Sequence, residues 1–189
     1  MFNELETRHY VYSYLDNIKE DVEDYAKAKE TLLAKALEIL DLDISYKINS
    51  QYNNDSKENF PSLFDDIKLI LKNKYANNDV LINIGLSYFI YNLIVTNSDE
   101  YQELLNVMSL GNYTSIIDIS KIDNLSKINV KNDKDILIIC SSYVRYLIEK
   151  FGLDVLISYL VSNKEFSDFF KCKYQELEKE MLYFIYNID

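Results

Sequence analysis

Apolar residues recur every three or four positions from the start of the chain. Val11, Tyr14, Ile18, Val22, Tyr25, Leu32, Ala36 and Leu40 hold one phase, which is the pattern of an amphipathic helical face. The spacing predicts helix from Glu4 to Leu40, either broken near Asn17 or extended as an arm along the body, because the run exceeds an ordinary globular helix. His9, Asp16, Glu20, Glu23 and Asp24 fall on the opposite side of that wheel, with Asp21 flanking them. Next, Ile44, Tyr46 and Ile48 alternate with polar residues, which fits a weak strand or an extended linker. Asn49 to Asn59 is almost free of apolar residues and reads as a mobile surface loop.

Pro61 and Ser62 then open a helix with Leu63, Phe64, Ile67, Ile70 and Leu71 turned inward, and Asn77 and Asn78 end it. Val80 to Val95 is apolar around most of its circumference and is predicted to be the central helix, packed on several sides. Asn97 with Glu100 three residues on reads as a capping box for a helix carrying Tyr101, Leu104, Leu105 and Met108, which Gly111 closes. Ile116, Ile117 and Ile119 suggest one short turn of helix, and Ile122 to Val130 an irregular connection. Asn132 and Asp133 start a helix that ends at Gly152, and helical pattern continues towards Ile188. The expected fold is mainly α, a single helical domain of about seven to nine helices with little or no β. Residues 1–42 form its long N-terminal helix or helix pair, 43–60 a linker, and 61–189 the helical core.

Composition supports this class. Three Gly and one Pro in 189 residues are too few for the tight turns of an all-β fold. A chain of this length with 48% hydrophobic residues is able to bury a sizeable core. The formal charge of -11 repels phosphate backbones and anionic lipid and favours a protein partner with a basic surface. No direct nucleic-acid or membrane binding is expected, although mimicry of nucleic acid by an acidic face is compatible with the charge. The Met1-Phe2-Asn3-Glu4 start lacks a signal pattern, so the mature chain is expected to begin at Met1. The run Val80 to Val95 is interrupted by Asn83, Gly85, Ser87 and Asn92 and is short for a membrane span. Cys140 and Cys172 each sit in a helical pattern and read as two core thiols in a reducing cytoplasm.

Candidate chemistry is sparse. His9 is the one histidine of the chain; on an exposed acidic helix face it is expected to be structural or incidental rather than catalytic. Adjacent Asp65 and Asp66 point about 100° apart on a helix, so they read as a solvent-facing pair near the helix start rather than as a cation site. No glycine-rich phosphate loop or paired-cysteine motif is present. No catalytic residue, metal ligand or cofactor is therefore assigned. Among seventeen tyrosines, Tyr14, Tyr25, Tyr88, Tyr143 and Tyr159 follow the apolar phase and are expected in the core, and an exposed minority would make protein-contact anchors.

Ser141-Ser142-Tyr143-Val144-Arg145-Tyr146-Leu147-Ile148-Glu149-Lys150-Phe151-Gly152 resembles a C-terminal segment of peptidase MA-like gluzincin metallopeptidases. Val155, Leu156, Tyr159 and Leu160, then Phe166 to Phe170, Glu176-Leu177-Glu178 and Met181 are similar to that family's ending. Upstream, Asn83-Ile84-Gly85-Leu86-Ser87-Tyr88-Phe89 is similar to the family's Asn-Glu-Gly-Leu-Ala-x-Tyr helix, whose Glu is a zinc ligand. The resemblance places Ile84 at that ligand, Asp65 and Leu69 at the two histidines of His-Glu-x-x-His, and Asp66 at the general base. Asp65, Leu69 and Ile84 cannot supply a zinc site, so the resemblance implies a relative without zinc ligands that has kept the helical part of the fold.

These readings favour a non-enzymatic binding protein, such as an inhibitor, an immunity protein or a phage anti-defence factor. Asp16, Glu20, Glu23 and Asp24 form its most regular candidate surface. The alternatives are a divergent hydrolase or metallopeptidase and a structural subunit of a larger complex. Bound metal or a cleft with paired acids would mark the enzyme, and an extensive apolar surface the subunit.

Overall fold

The computed structural model describes residues 2–15, 19–52, 61–75, 77, 79–122, 127–130 and 132–187. It is 68% helical and 7% strand, so the chain is mainly α. Two compact units emerge, one from Met1–Ile70 with Ile90–Asn97 and the other from Leu71–Phe89 with Ser98–Asp189.

In the first unit, strands β1 (Phe2–Glu6) and β2 (Tyr10–Leu15) pair antiparallel, with Phe2 opposite Leu15 and Glu6 opposite Val11. Strand β3 (Ile48–Gln51) lies parallel to β2, with Tyr10 opposite Ile48. Parallel strands need a long connection, and helix α1 (Lys19–Ile39) supplies it. Residues 4–15, where the periodicity predicted helix, thus belong to a hairpin. Two periods fit the same residues: Val11 and Tyr14 suit a helical face, whereas Tyr10, Tyr12 and Tyr14 alternate. All three tyrosines are buried. The run Tyr-Val-Tyr-Ser-Tyr is rich in strong β formers, and α1 packs on β2 to cover the tyrosine face. Glu4 and Glu6 stay exposed on β1, and Glu6 accepts a hydrogen bond from Lys47 at 2.5 Å, so this edge carries charge.

The core face of α1 consists of Val22, Tyr25, Ala26, Leu33, Ala36 and Leu37. Asp41 leaves the helix with φ 50°, a conformation that Asp tolerates better than most residues. Ile44 and Ile48 are buried but Tyr46, which a period of two would place on the same face, is exposed, so the expected alternation fails there and the paired strand begins only at Ile48. The expected loop is correspondingly shorter, since Asn49, Ser50 and Gln51 are in β3 and Tyr52 is buried; its residues 53–59 lie outside the described residues. Helix α2 (Pro61–Lys74) opens on Pro61 as predicted, with Leu63, Phe64, Ile67 and Ile70 buried in this unit.

The second unit contains most of α3 (Val80–Tyr91), followed in chain order by α4 (Glu100–Ser109), α5 (Ile116–Ser120) and α6 (Lys134–Phe151). Helices α7 (Leu153–Val161), α8 (Phe166–Phe170) and α9 (Tyr174–Tyr186) complete it. Here α6 is the helix on which α4, α5, α7 and α9 all pack, a role the apolar run had suggested for α3. Residues Leu81 to Tyr88 of α3 are buried all round, as predicted. Past Tyr91 the chain makes a π-helical turn, Asn92–Thr96, which Asn97 ends at φ 49° by donating its N–H to the Asn92 carbonyl at 2.6 Å. Asn97 therefore closes one helix and does not open the next. Asp99 caps α4, accepting the Tyr101 N–H at 3.0 Å. Gly111 and Gly152 take φ 75° and 92° at the ends of α4 and α6, the left-handed region that glycine enters without a Cβ penalty. No single helix among the described residues is long and apolar enough to cross a membrane.

The approach of α3 to α6 requires Gly85. A Cβ there would lie 2.5 Å from the Cys140 carbonyl oxygen and 2.6 Å from Val144 Cγ2. Alanine would gain about 1 kcal/mol of helix propensity, but relieving a clash against backbone costs about 1–3 kcal/mol or more. Gly85→Ala is expected to lower stability by up to about 2 kcal/mol net, read as a lower urea midpoint with an unchanged slope; a midpoint above wild type would refute the close approach.

Candidate functional site

Helix α1 carries a lysine in the middle of its apolar stripe. Val22, Ala26, Leu33, Ala36 and Leu40 all face inward, and Lys29, in the same phase, is 0% exposed. Its ammonium nitrogen lies 2.7 Å from Asp66 Oδ2 and 4.6 Å from the centroid of the Tyr10 ring. The Tyr10 hydroxyl donates to the same Asp66 oxygen at 2.8 Å. A strand and two helices thus meet at one carboxylate. Burial raises the Asp66 pKa above the usual range even though Lys29 and Tyr10 both pull it down. Burial, reinforced by the Asp66 charge, drives the Tyr10 phenol well above its ordinary value, so Tyr10 is a donor and stays protonated.

The next residue of α1, Glu30, holds the hairpin turn. It accepts from the Thr7 hydroxyl at 2.5 Å and the His9 N–H at 3.2 Å, and faces the His9 ring at Nδ1. Burial alone would raise the Glu30 pKa, but these hydrogen bonds and the His9 ring outweigh it and leave the carboxyl below its usual value. His9 is buried, against the expectation of an exposed helical position, because it sits in a hairpin turn facing α1. Its Nε2 is buried without a partner, an arrangement that orients a turn and does not offer a base to solvent.

Rings continue the cluster. Tyr12 stands 5.2 Å from Tyr10 and 6.0 Å from Tyr25, and Tyr25 stands 5.1 Å from Tyr52. The chemistry available here is structural: charge neutralisation and hydrogen bonding inside a sheet–helix core.

The sequence-derived candidates separate accordingly. Asp66 is buried, not solvent-facing as expected, because it points at Lys29; Asp65 is exposed and pairs with Lys68 at 2.9 Å. Leu69 is exposed and Ile84 is buried. Among the described residues no group of three His, Cys, Asp or Glu side chains is placed to hold a metal ion. Glu23 and Asp24 are exposed on α1, and Asp16 lies outside the described residues. Glu20, Glu23 and Asp24 of the expected stripe all lie on α1. Cys140 and Cys172 are both free, the first buried and the second half-buried. Burial pushes the Cys140 thiol up to about 12, far from a reactive thiolate. Lys29 was missed, although a lone lysine within an apolar heptad phase was the available signal.

A second feature lies in the unit built around α6. The Arg145 guanidinium donates to Asp99 at 2.8 Å, to Glu100 at 3.2 Å and to Glu149 at 2.9 Å, and it lies 4.1 Å over the Tyr101 ring. The Tyr101 hydroxyl donates to Glu149 at 2.8 Å. Slight burial would raise the Asp99 pKa, but Arg145 and the Tyr101 N–H hold it below the carboxylate range. Beside this network Asp99, Tyr101, Leu105, Arg145, Glu149 and Phe184 line a depression of about 230 Å³. Past it α9 exposes Tyr183, Phe184 and Tyr186.

Two outcomes test the buried cluster. Lys29→Met strands the Asp66 carboxylate and is expected to cost about 3–5 kcal/mol, whereas Lys29→Met with Asp66→Leu recovers most of that loss; equal losses in the single and double variants would refute the pairing. For Glu30 the folded pKa is depressed, so its stabilisation is present above the unfolded value near 4.5 and is lost as pH falls through the folded value. Acid titration of stability is therefore expected to be shallower in Glu30→Gln than in wild type below about pH 4.5, and superimposable acid limbs would count against it.

Comparison with known protein families, curated proteins and solved structures finds no match to this chain, so a function has to be argued from these two features alone.

Proposed function

We propose that the chain is a non-enzymatic protein-binding domain that seats an acidic, tyrosine-rich surface against a basic groove of its partner, as an inhibitor, immunity protein or anti-defence factor does. The observation that carries this reading is the exposed aromatic run of α9, with Tyr183 at 74% and Tyr186 at 64% exposure, on a chain of formal charge -11. Tyrosine in water gains area and a hydrogen bond on meeting a partner at low entropic cost. The acidic field speeds encounter with a basic surface and weakens with salt.

The ionisable groups that sequence singled out support the same side. His9 and Asp66 are engaged inside the fold by Glu30, Lys29 and Tyr10, which leaves them as positioning groups. The resemblance to gluzincin peptidases fits a relative that has exchanged hydrolysis for binding, with Asp66, at the general-base position, tied to a lysine instead of facing a substrate.

The test is affinity capture from an extract of the source cells, with the chain immobilised and the retained proteins identified by mass spectrometry at two salt concentrations. A discrete protein with a basic surface, retained in stoichiometric amount and released by raised salt, is the expected result. No retained protein, or hydrolysis of a peptide library by the purified chain, would overturn the reading.

A further inference from the structure

The two sides of the depression beside Arg145 differ in character. One side is charged: Asp99 and Glu149 line it and share the one guanidinium of Arg145, so the wall keeps an excess of negative charge after its own arginine is neutralised. Asp99 remains 63% exposed at its side chain. A carboxylate offers about four acceptor positions, and neither Asp99, which accepts from Arg145 and the Tyr101 and Gln102 N–H groups, nor Glu149, which accepts from Arg145 and the Tyr101 hydroxyl, is saturated. The other side is apolar and aromatic, formed by Leu105 and Phe184. The Phe184 ring is held edge-on at 6.0 Å from Tyr101 and tilted at 5.9 Å from Tyr146. Tyr146 is fixed in turn by donating to Glu180 at 3.2 Å, and Lys150 is also bonded to Glu180. Phe184 therefore presents a supported yet part-exposed face.

We infer that this depression takes an arginine side chain from a basic segment of a partner protein, with Asp99 and Glu149 receiving the guanidinium, Phe184 stacking on it, and Tyr183 and Tyr186 gripping the flanking residues. The inference rests on the binding reading above and names its surface. A volume of about 230 Å³ suits a single long side chain and not a folded element. The pairing of a carboxylate wall with an aromatic wall selects arginine, whose planar fork is able to meet a carboxylate through two bonds and stack at the same time, over lysine, which meets it as a point charge. Arg145 over Tyr101 already shows that combination within the chain itself.

The experiment titrates the isotope-labelled full chain with N-acetyl-arginine amide and, separately, N-acetyl-lysine amide, following backbone amide resonances at low and raised salt. Shifts confined to Asp99, Tyr101, Leu105, Glu149 and Phe184 are expected, several-fold stronger for the arginine probe and reduced by salt. Asp99→Asn keeps the helix cap and is expected to weaken the arginine response several-fold, as is Phe184→Ala; Val161→Ala, at an exposed position of α7 that does not line the depression, leaves it unchanged and controls for folding. Equal response to both probes, shifts spread over Glu23 and Asp24, or an undiminished response in Asp99→Asn overturns the site. So does concentration-dependent self-association through the same residues, which would make a second copy the occupant. If a basic protein is retained in the capture experiment while the arginine probe leaves this face unmoved, the surface alone is wrong. If nothing is retained, the reading beneath it falls.

Discussion

A fully buried lysine ammonium and the nearly buried aspartate it meets constrain everything packed around them. Lys29 and Asp66 come from different helices, and desolvating either alone costs several kcal/mol. The first unit is therefore built so that neither is alone. Helix α1 must hold Lys29 inward, α2 must turn Asp66 to it, and β2 must supply the Tyr10 hydroxyl that completes the carboxylate's bonding. That requirement fixes the rotation of both helices and the register of the strand more tightly than an apolar contact would, because hydrophobic area is non-directional and a charge pair is not. The neighbouring Glu30 extends the same control to the hairpin turn through Thr7 and His9.

In the second unit, carboxylates serve a related purpose. Asp79 accepts the hydroxyls of both Tyr159 and Tyr174, and through its other oxygen the Ile82 N–H. Glu178 accepts the Tyr113 hydroxyl and the Ile116 N–H at 2.6 and 2.7 Å. A buried phenol needs an acceptor, and a carboxylate is the strongest available among side chains. Part of this chain's acidity is thus explained by its tyrosines. Burial and the nearby carboxylate raise the phenol pKa of Tyr101 and Tyr113, as expected of donors to a charged acceptor.

Helices with terminal punctuation were legible in the residues. Pro61 opens α2, Gly111 and Gly152 close α4 and α6, and Tyr14, Tyr25, Tyr88, Tyr143 and Tyr159 are all buried as their phase predicted. The hairpin was not, because Tyr10, Val11, Tyr12 and Tyr14 satisfy periods of two and of about 3.6 together. What separates the periods is the presence of a helix to cover the alternating tyrosines, which is tertiary information. Asp66 was misplaced for a similar reason. An acidic pair near a helix start normally faces water, and only its distant partner Lys29 makes burial affordable. Lys29 itself stood in plain apolar phase. The Arg145 network was not legible because Asp99 and Glu100 lie far in sequence from Arg145 and Glu149 and meet them only when α4 packs on α6.

Sorting the carboxylates by what they hold changes how the net charge should be understood. Asp66, Asp79 and Glu178 answer interior donors, so their charges are spent within the fold and contribute little directed recognition. Asp65 and Glu6 each face a lysine at the surface, where a pair is worth about 0–1 kcal/mol and offers a partner almost no unbalanced field. Asp99, Glu100 and Glu149 differ, because three of them share one arginine and two keep accepting capacity beside an aromatic wall. Any basic surface approaching an acidic chain feels the whole charge at long range, but within a Debye length of about 8–10 Å what distinguishes one acidic face from another is local excess together with something apolar to grip. Among the described residues, the face shared by α4, α6 and α9 brings those two properties together, and that conjunction, more than the count of acidic residues, is what an acidic binding protein needs in order to be specific.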